Sequence, residues 1–351
     1  MPTPSNKLTS TRLGTQRRCP RMHYLRYELG LARIRQADPL RIGSAFHLGQ
    51  QRYNEGLEPT DALAAAVDGY DVKPEWASEH EWQVERETVR ALLCGHWWKY
   101  ENDGLEMLAP EQAWEMPLVN PETGRQSRTY VLAGKIDGIV RLGDGRLAVL
   151  EYKTCSEDIG PDSQYWLRLR ADPQIGMYYL AARHLGYDVA CIVYDVTRKP
   201  TISPRQIPLL DEAGLKVVLD GAGARVMTKQ GKPRQTGDNE LGYVLQVRQE
   251  TADEFRERLL QDIADRADFY FARREVPRLE ADLDELREEL WQQAESMTAA
   301  RRNNRWFRNV GRMTCPHCEF AELCLQGVRV DGETVPSGYQ VLGDVNPELS
   351  E

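Results

Sequence analysis

The run VLAGKIDGIVRLGDGRLAVLEYKTCS, residues 131–156, limits the fold more than any other part of this chain. Two apolar, β-branched stretches, RTYVLAGKIDGIVRL and RLAVLEYKT, flank Gly143-Asp144-Gly145, a turn signal that closes them into an antiparallel hairpin. Asp137 and Glu151 stand equally far from Asp144, so the hairpin makes them cross-strand neighbours. Glu151 and Lys153 are two residues apart and project from one face. Ile136, Ile139, Val140, Leu147, Val149 and Leu150 surround these charges. The plain alternative is an exposed strand pair with a cross-strand ion pair, and the apolar flanks argue against it.

Two carboxylates on one face repel each other unless a cation lies between them. A hard ion such as Mg2+ or Mn2+ takes a few protein oxygens and leaves room for water and phosphate. A neighbouring ammonium can orient an attacking water and offset charge developing on phosphate. Asp137, Glu151 and Lys153 therefore suit phosphodiester hydrolysis.

The rest of the chain supplies a frame for that hairpin. Val89, Leu92, Leu93, His96, Trp97 and Tyr100 follow helical spacing and predict an amphipathic helix over 80–103. RIGSAFHLGQQRYN (41–54) reads as a shorter helix, AWEMPLV (113–119) as a strand, 164–186 as a helix and VACIVYDVT (189–197) as a strand. The order α, β, β, β, α, β predicts a small α/β core. Residues 198–250 read as irregular, Thr251 with Glu254 as the capping box of a helix reaching about Arg274, and 278–303 as a second helix. We divide the chain into a helical region 1–110, a core 111–200, an irregular and helical region 201–305, a basic and cysteine-bearing segment 306–327, and a loosely held tail 328–351.

Lys and Arg total 45 against 54 Asp and Glu, a net charge of −9, which excludes a protein that coats nucleic acid by bulk charge. Basic character is local: RRNNRWFRNVGR (301–312) sets five arginines around Trp306-Phe307 without an acid. Arginine pairs with phosphate and aromatic rings stack on bases, so Arg305, Trp306 and Arg308 are candidate DNA contacts, the alternative being a solvated helix end. No apolar run reaches the roughly 18 residues of a membrane span, and the N-terminus has no secretory h-region. We expect a cytoplasmic protein that does not enter membranes.

Seven cysteines, an odd number, argue against a disulfide framework. Cys315, Cys318 and Cys324 form C-x2-C-x5-C, a thiolate cluster that suits zinc or an iron–sulfur centre. Cys94, Cys155 and Cys191 lie in apolar or strand contexts and read as ordinary core residues.

Asp137-x13-Glu151-Tyr152-Lys153 resembles the PD-(D/E)xK nucleases, and EYKT resembles the RecB/AddB-like branch. That branch carries a helical histidine before the strands, matched by His47 in GSAFHLGQQRY, and a Gln-x3-Tyr motif after the lysine, matched by Gln174 and Tyr178. The usual proline before the first acid is absent. The resemblance implies a restriction-endonuclease-like core, a small central mixed sheet flanked by helices, with helical N- and C-terminal extensions. It implies His47, Asp137, Glu151 and the main-chain carbonyl of Tyr152 as ligands of Mg2+ or Mn2+, Lys153 as catalytic cation, and Gln174 and Tyr178 as residues that steady DNA or the lysine. One cysteine before the core and three after it, here Cys19 with Cys315, Cys318 and Cys324, resemble the set that holds a 4Fe-4S cluster in RecB-like nucleases of the AddB type and in CRISPR-associated four-cysteine exonucleases.

The expectation is a metal-dependent DNA exonuclease acting on single-stranded or frayed ends in phage or bacterial recombination and repair. No G-x4-G-K-[ST] motif occurs, so a helicase partner would be a separate chain. The alternatives are an adaptation nuclease that trims spacer precursors beside an integrase, and a DNA-binding module without turnover.

Overall fold

A computed structural model describes residues 5–34, 38–328, 330 and 334–349. Its centre is a six-stranded mixed sheet: β1 (Lys7–Leu8), β2 (Glu106–Val119), β3 (Gln126–Arg141), β4 (Leu147–Cys155), β5 (Cys191–Arg198) and β6 (Phe271–Val276). The expected α/β class with a helix-flanked mixed sheet is what forms.

The hairpin turn closes at Gly143–Arg146, where Gly145 takes φ 89°, a conformation that favours glycine. From there β3 and β4 pair for only four rungs, Arg141↔Leu147 to Gly138↔Leu150. Beyond Gly138 the strands take different partners. β3 continues antiparallel to β2 and parallel to β1, whereas β4 runs parallel to β5 from Ala148↔Cys191 to Cys155↔Arg198. β5 is buried over seven consecutive residues, as expected of a central strand covered on both faces.

Helices complete the frame: α1 (Ser10–Arg18), α2 (Asp38–Asn54), α3 (Pro59–Val67), α4 (Glu79–Tyr100), α5 (Pro173–His184), α6 (Ala252–Asp265) and α7 (Glu280–Asn303). The largest apolar core joins Ile139 and Val149 of the hairpin to Ile175 and Tyr179 of α5 and Leu283 and Leu290 of α7. A second core gathers Phe46, Leu92 and Leu93 with Phe255, Leu259 and Phe271.

Of the three cysteines read as core residues, Cys191 is buried, Cys155 half-buried and Cys94 exposed; three further expectations need correction. The helix at Thr251 has its capping box but ends at Asp265, and Phe271–Val276 is an edge strand antiparallel to β5. Its two arginines hid the strand; Arg273 donates two hydrogen bonds to buried Asp195 of β5 (2.9 and 2.6 Å). The helix expected over 164–186 is broken, because Asp172 caps Gln174 N at 2.8 Å and Pro173 starts a new helix. The tail is not loose where it is described. Tyr339–Val341 pairs with Leu31–Arg33, Val345 and Asn346 are buried, and Glu348 accepts from the Thr9 hydroxyl at 2.7 Å. Residues 329, 331–333 and 350–351 of that segment lie outside the described residues, as do 1–4 and 35–37.

Asp195 ties three elements together: it also meets His96 Nε2 of α4 at 2.9 Å, while Gln50 of α2 bonds His96 Nδ1 at 2.8 Å. Removing one member of a buried charged network strands the others. Asp195→Ala should therefore destabilise the fold by about 3 kcal/mol. Adding Arg273→Met should deepen the loss, because in the single variant the guanidinium still pairs with Asp103 and packs over Tyr100. Denaturant titration of both variants checks this; a single variant as stable as wild type would contradict it.

Candidate active site

The parting of β3 and β4 creates the site. Extending the register one rung past Gly138↔Leu150 sets Asp137 opposite Glu151, where the ladder ends. Asp137 turns back instead and accepts a hydrogen bond from the Tyr152 peptide N–H through Oδ2, at 2.7 Å. Glu151 is 2% exposed; it forms an ion pair with Lys153 through Oε1, while its buried Oε2 has no hydrogen-bond partner among the described residues. An unpartnered buried carboxylate oxygen is costly unless something else comes to it.

α2 brings the histidine. A side chain at Gly43 would stand 3.1 Å from Thr154 Oγ1, so glycine lets the helix lie close against β4. One turn later His47 Nδ1 reaches 3.7 Å from Asp137 Oδ2, too long for a direct hydrogen bond and suited to sharing an ion. From α5, Gln174 Nε2 donates to the Tyr178 hydroxyl at 2.8 Å and to Ser10 Oγ at 3.2 Å. His47, Asp137, Glu151, Lys153, Gln174 and Tyr178 all line one cleft of about 880 Å³. The Tyr152 side chain does not; its hydroxyl meets Asn54 of α2 at 3.2 Å.

Burial sets the electrostatics. It pushes Asp137 up to about 6; it pushes Glu151 up to about 7 together with the charge of Asp137. Burial and then Lys153 hold His47 down at about 4, leaving a neutral imidazole able to ligate. Burial works against the Lys153 charge, but Glu151 and Asp137 outweigh it and raise its pKa. Near pH 7 the carboxylate pair is thus partly protonated, and a divalent cation would displace that proton. The hard oxygen and imidazole donors and the orphaned Glu151 oxygen fit Mg2+ or Mn2+. Among the described residues, no three His, Cys, Asp or Glu side chains close on an ion as they stand.

The other expected residues lie elsewhere. Cys19, Cys315, Cys318 and Cys324 line one small cavity of about 20 Å³, water-sized as it stands. Arg308 Nε points at Cys324 Sγ (3.2 Å) and the Asn309 peptide N–H at Cys19 Sγ (3.4 Å). Arg305, Trp306 and Arg308 do not line the large cleft. They follow α7, which ends at Asn304 in a left-handed cap, in a segment without helix. Trp306 stacks on His23 (ring centroids 5.3 Å apart), whereas Phe307 is 69% exposed.

Sequence reasoning missed Glu111, Lys135 and Arg41, which share the cleft wall. Lys135 carried a signal, standing two residues before Asp137 as Lys153 stands two after Glu151. Glu111 carried none, because it reaches the cleft through a backbone irregularity.

A family model described as the PD-(D/E)XK nuclease superfamily matches residues 7–325. Among solved structures, one titled "Crystal structure of SSO0001" matches 94% of this chain and 90% of its own, with 12% identity and a TM-score of 0.33. No curated protein matches the chain. Among the described residues, no helix is long and apolar enough to cross a membrane.

The raised carboxylates predict how stability depends on pH. Folded Asp137 titrates near 6 against about 3.9 unfolded. Its penalty is absent below the unfolded value, grows as pH rises from there to about 6, and is constant above. Without divalent ions, Asp137→Asn should be more stable than wild type at pH 8, by about 1–2 kcal/mol, and equal to it near pH 4. The amide keeps an acceptor for the Tyr152 N–H. Thermal melts in chelator between pH 4 and 8 measure this; a constant gap across the range would contradict it.

Proposed function

Because the chain belongs to the PD-(D/E)XK nuclease superfamily, we propose that it is a metal-dependent DNA nuclease of the RecB/AddB-like group, acting as an exonuclease on single-stranded or frayed ends. The observation that carries this reading is the meeting of six side chains from four elements in one cleft, around a buried carboxylate oxygen with no hydrogen-bond partner among the described residues. His47, Asp137, Glu151 and the Tyr152 carbonyl would hold Mg2+ or Mn2+. When bound, the ion would polarise the phosphodiester and offset its developing charge. Lys153, fixed by Glu151, would orient the attacking water, and Gln174 and Tyr178 would hold the neighbouring backbone. A role in phage or bacterial recombination or repair, beside a helicase or integrase partner, agrees with the motif order.

The four cysteines would hold a 4Fe-4S cluster that acts as a staple. Support comes from thiols of both chain ends facing one cavity and from N–H groups directed at two of the sulfurs. The cavity would have to widen around the cluster. Arg305, Arg308 and the exposed Phe307 next to it would contact DNA as it approaches.

Lys153→Met should lose at least a hundredfold in cleavage rate while keeping calorimetric Mn2+ binding. A time course on end-labelled DNA, linear and circular, single- and double-stranded, tests the mode: linear single strands should shorten from an end and circles should survive. Cleaved circles would turn the reading to an endonuclease, and wild-type rates in the lysine variant would remove the catalytic assignment.

The two sites should separate by chemistry, since thiolates hold soft metals tightly and carboxylates exchange hard ions. Brief EDTA treatment of anaerobically purified protein should stop cleavage but leave visible absorbance, and Mn2+ should restore activity. Cys19→Ala should bleach and become sensitive to protease near both ends. About one zinc and no iron per chain would overturn the cluster and leave the nuclease reading intact.

A further inference from the structure

We propose that Lys135 is a second lysine that grips the nucleic-acid backbone, contacting a phosphate next to the one at Lys153, and that Glu111 is its positioning residue. This rests on the nuclease reading above.

The sheet sets out the arrangement. Lys135 and Asp137 are two residues apart on β3, so they share a face, and both line the cleft. Asp137, Glu151, Lys135 and Lys153 all line this cleft, so its wall carries two carboxylates and two ammonium groups. On the other side of β3, the rungs Pro110↔Gly138 and Gln112↔Ile136 leave Glu111 opposite Asp137. Glu111 Oε2 holds Lys135 Nζ at 3.1 Å, with both side chains about four-fifths buried.

The backbone of Glu111 is the informative feature. Its φ is 42°, and among the described residues the only other non-glycine with positive φ is Asn304, which caps a helix. Glu111 lies inside a strand, where no turn demands that conformation. A left-handed non-glycine residue costs roughly 1–2 kcal/mol, whereas a largely buried ion pair gives little net stability, because the desolvation of both charges offsets their attraction. Stability therefore does not account for the arrangement. Strain of this kind collects where a side chain must be aimed. Here the aim places a carboxylate beneath a lysine at the cleft wall, holding the ammonium extended when no phosphate is present. An entering phosphate then meets a cation already in place.

The test uses the full-length protein, a 5′-labelled single-stranded oligonucleotide and Ca2+ in place of Mg2+ for binding, with single-turnover cleavage in Mg2+. Lys135→Met should raise Kd about tenfold at low salt and reduce the slope of log K against log salt by about 0.7, one phosphate contact on a single strand. The cleavage rate at saturating DNA should fall less than threefold, and Lys135→Arg should restore the slope. Glu111→Gly relieves the backbone, so it should keep or raise the melting temperature while Kd rises. An unchanged slope in Lys135→Met, with wild type cleaving normally, overturns this inference alone. Loss of Mn2+ binding in Lys135→Met overturns it in favour of a metal-site role, and a lowered melting temperature in Glu111→Gly in favour of a structural one. Wild type that neither binds nor cleaves overturns the nuclease reading and this inference with it.

Discussion

The buried carboxylate pair is the constraint around which the molecule is arranged. Glu151 is nearly inaccessible, carries an oxygen with no hydrogen-bond partner among the described residues, and faces a second carboxylate, so burial drives both groups toward protonation. A fold optimised for stability alone would zip β3 and β4 together. Here their ladder stops one rung short of the pair, and the two strands leave with different neighbours. What would have been a continuous sheet becomes the floor of a cleft. The deep apolar cores on either side offset what the site withholds.

Around that opening the neighbouring elements are fixed by strong local devices. α2 approaches β4 because Gly43 has no side chain, and its far end is tied through Gln50 to His96 and so to Asp195. α5 starts at an Asp-Pro cap, which places Gln174 in its first turn, within reach of Ser10. His47 and Gln174 are therefore held by helix capping and by packing at the cleft rim and behind it, which is how first contacts are kept in place before a substrate arrives.

The legible parts of this structure were those encoded by short-range spacing. The hairpin, the Asp137–Glu151 pairing, the i+2 lysine, the Gln174–Tyr178 turn and the Thr251 capping box all depend on neighbours a few residues away or on a single tight turn. The illegible parts depend on partners far along the chain. Phe271–Val276 became a strand because β5 offered it an edge and Asp195 received its arginine. Tyr339–Val341 is held by Leu31–Arg33, some three hundred residues earlier. Trp306, marked in the sequence as a base-stacking ring, lies against His23 and Tyr24, while Phe307 beside it is exposed. Glu111 enters the cleft by a left-handed φ that no spacing rule announces.

The cysteine region and the cleft, far apart in sequence, are the two ends of one helix. Thr9 caps α1 and lines the cleft; Cys19, at the other end of that nine-residue helix, faces the cysteine cavity about 13 Å away. Between them Arg12, fully buried, binds His23 and Glu28, and Glu28 in turn holds Arg301 from the last turn of α7. The C-terminal Glu348 closes on Thr9. α1 is too short to hold its position by helix propensity alone, so its location depends on these end contacts. Whatever anchors Cys19 therefore also fixes Ser10 against Gln174. A metal bound by the four cysteines would be remote from the chemistry and would still set the geometry of the cleft wall, through a rigid rod rather than through charge.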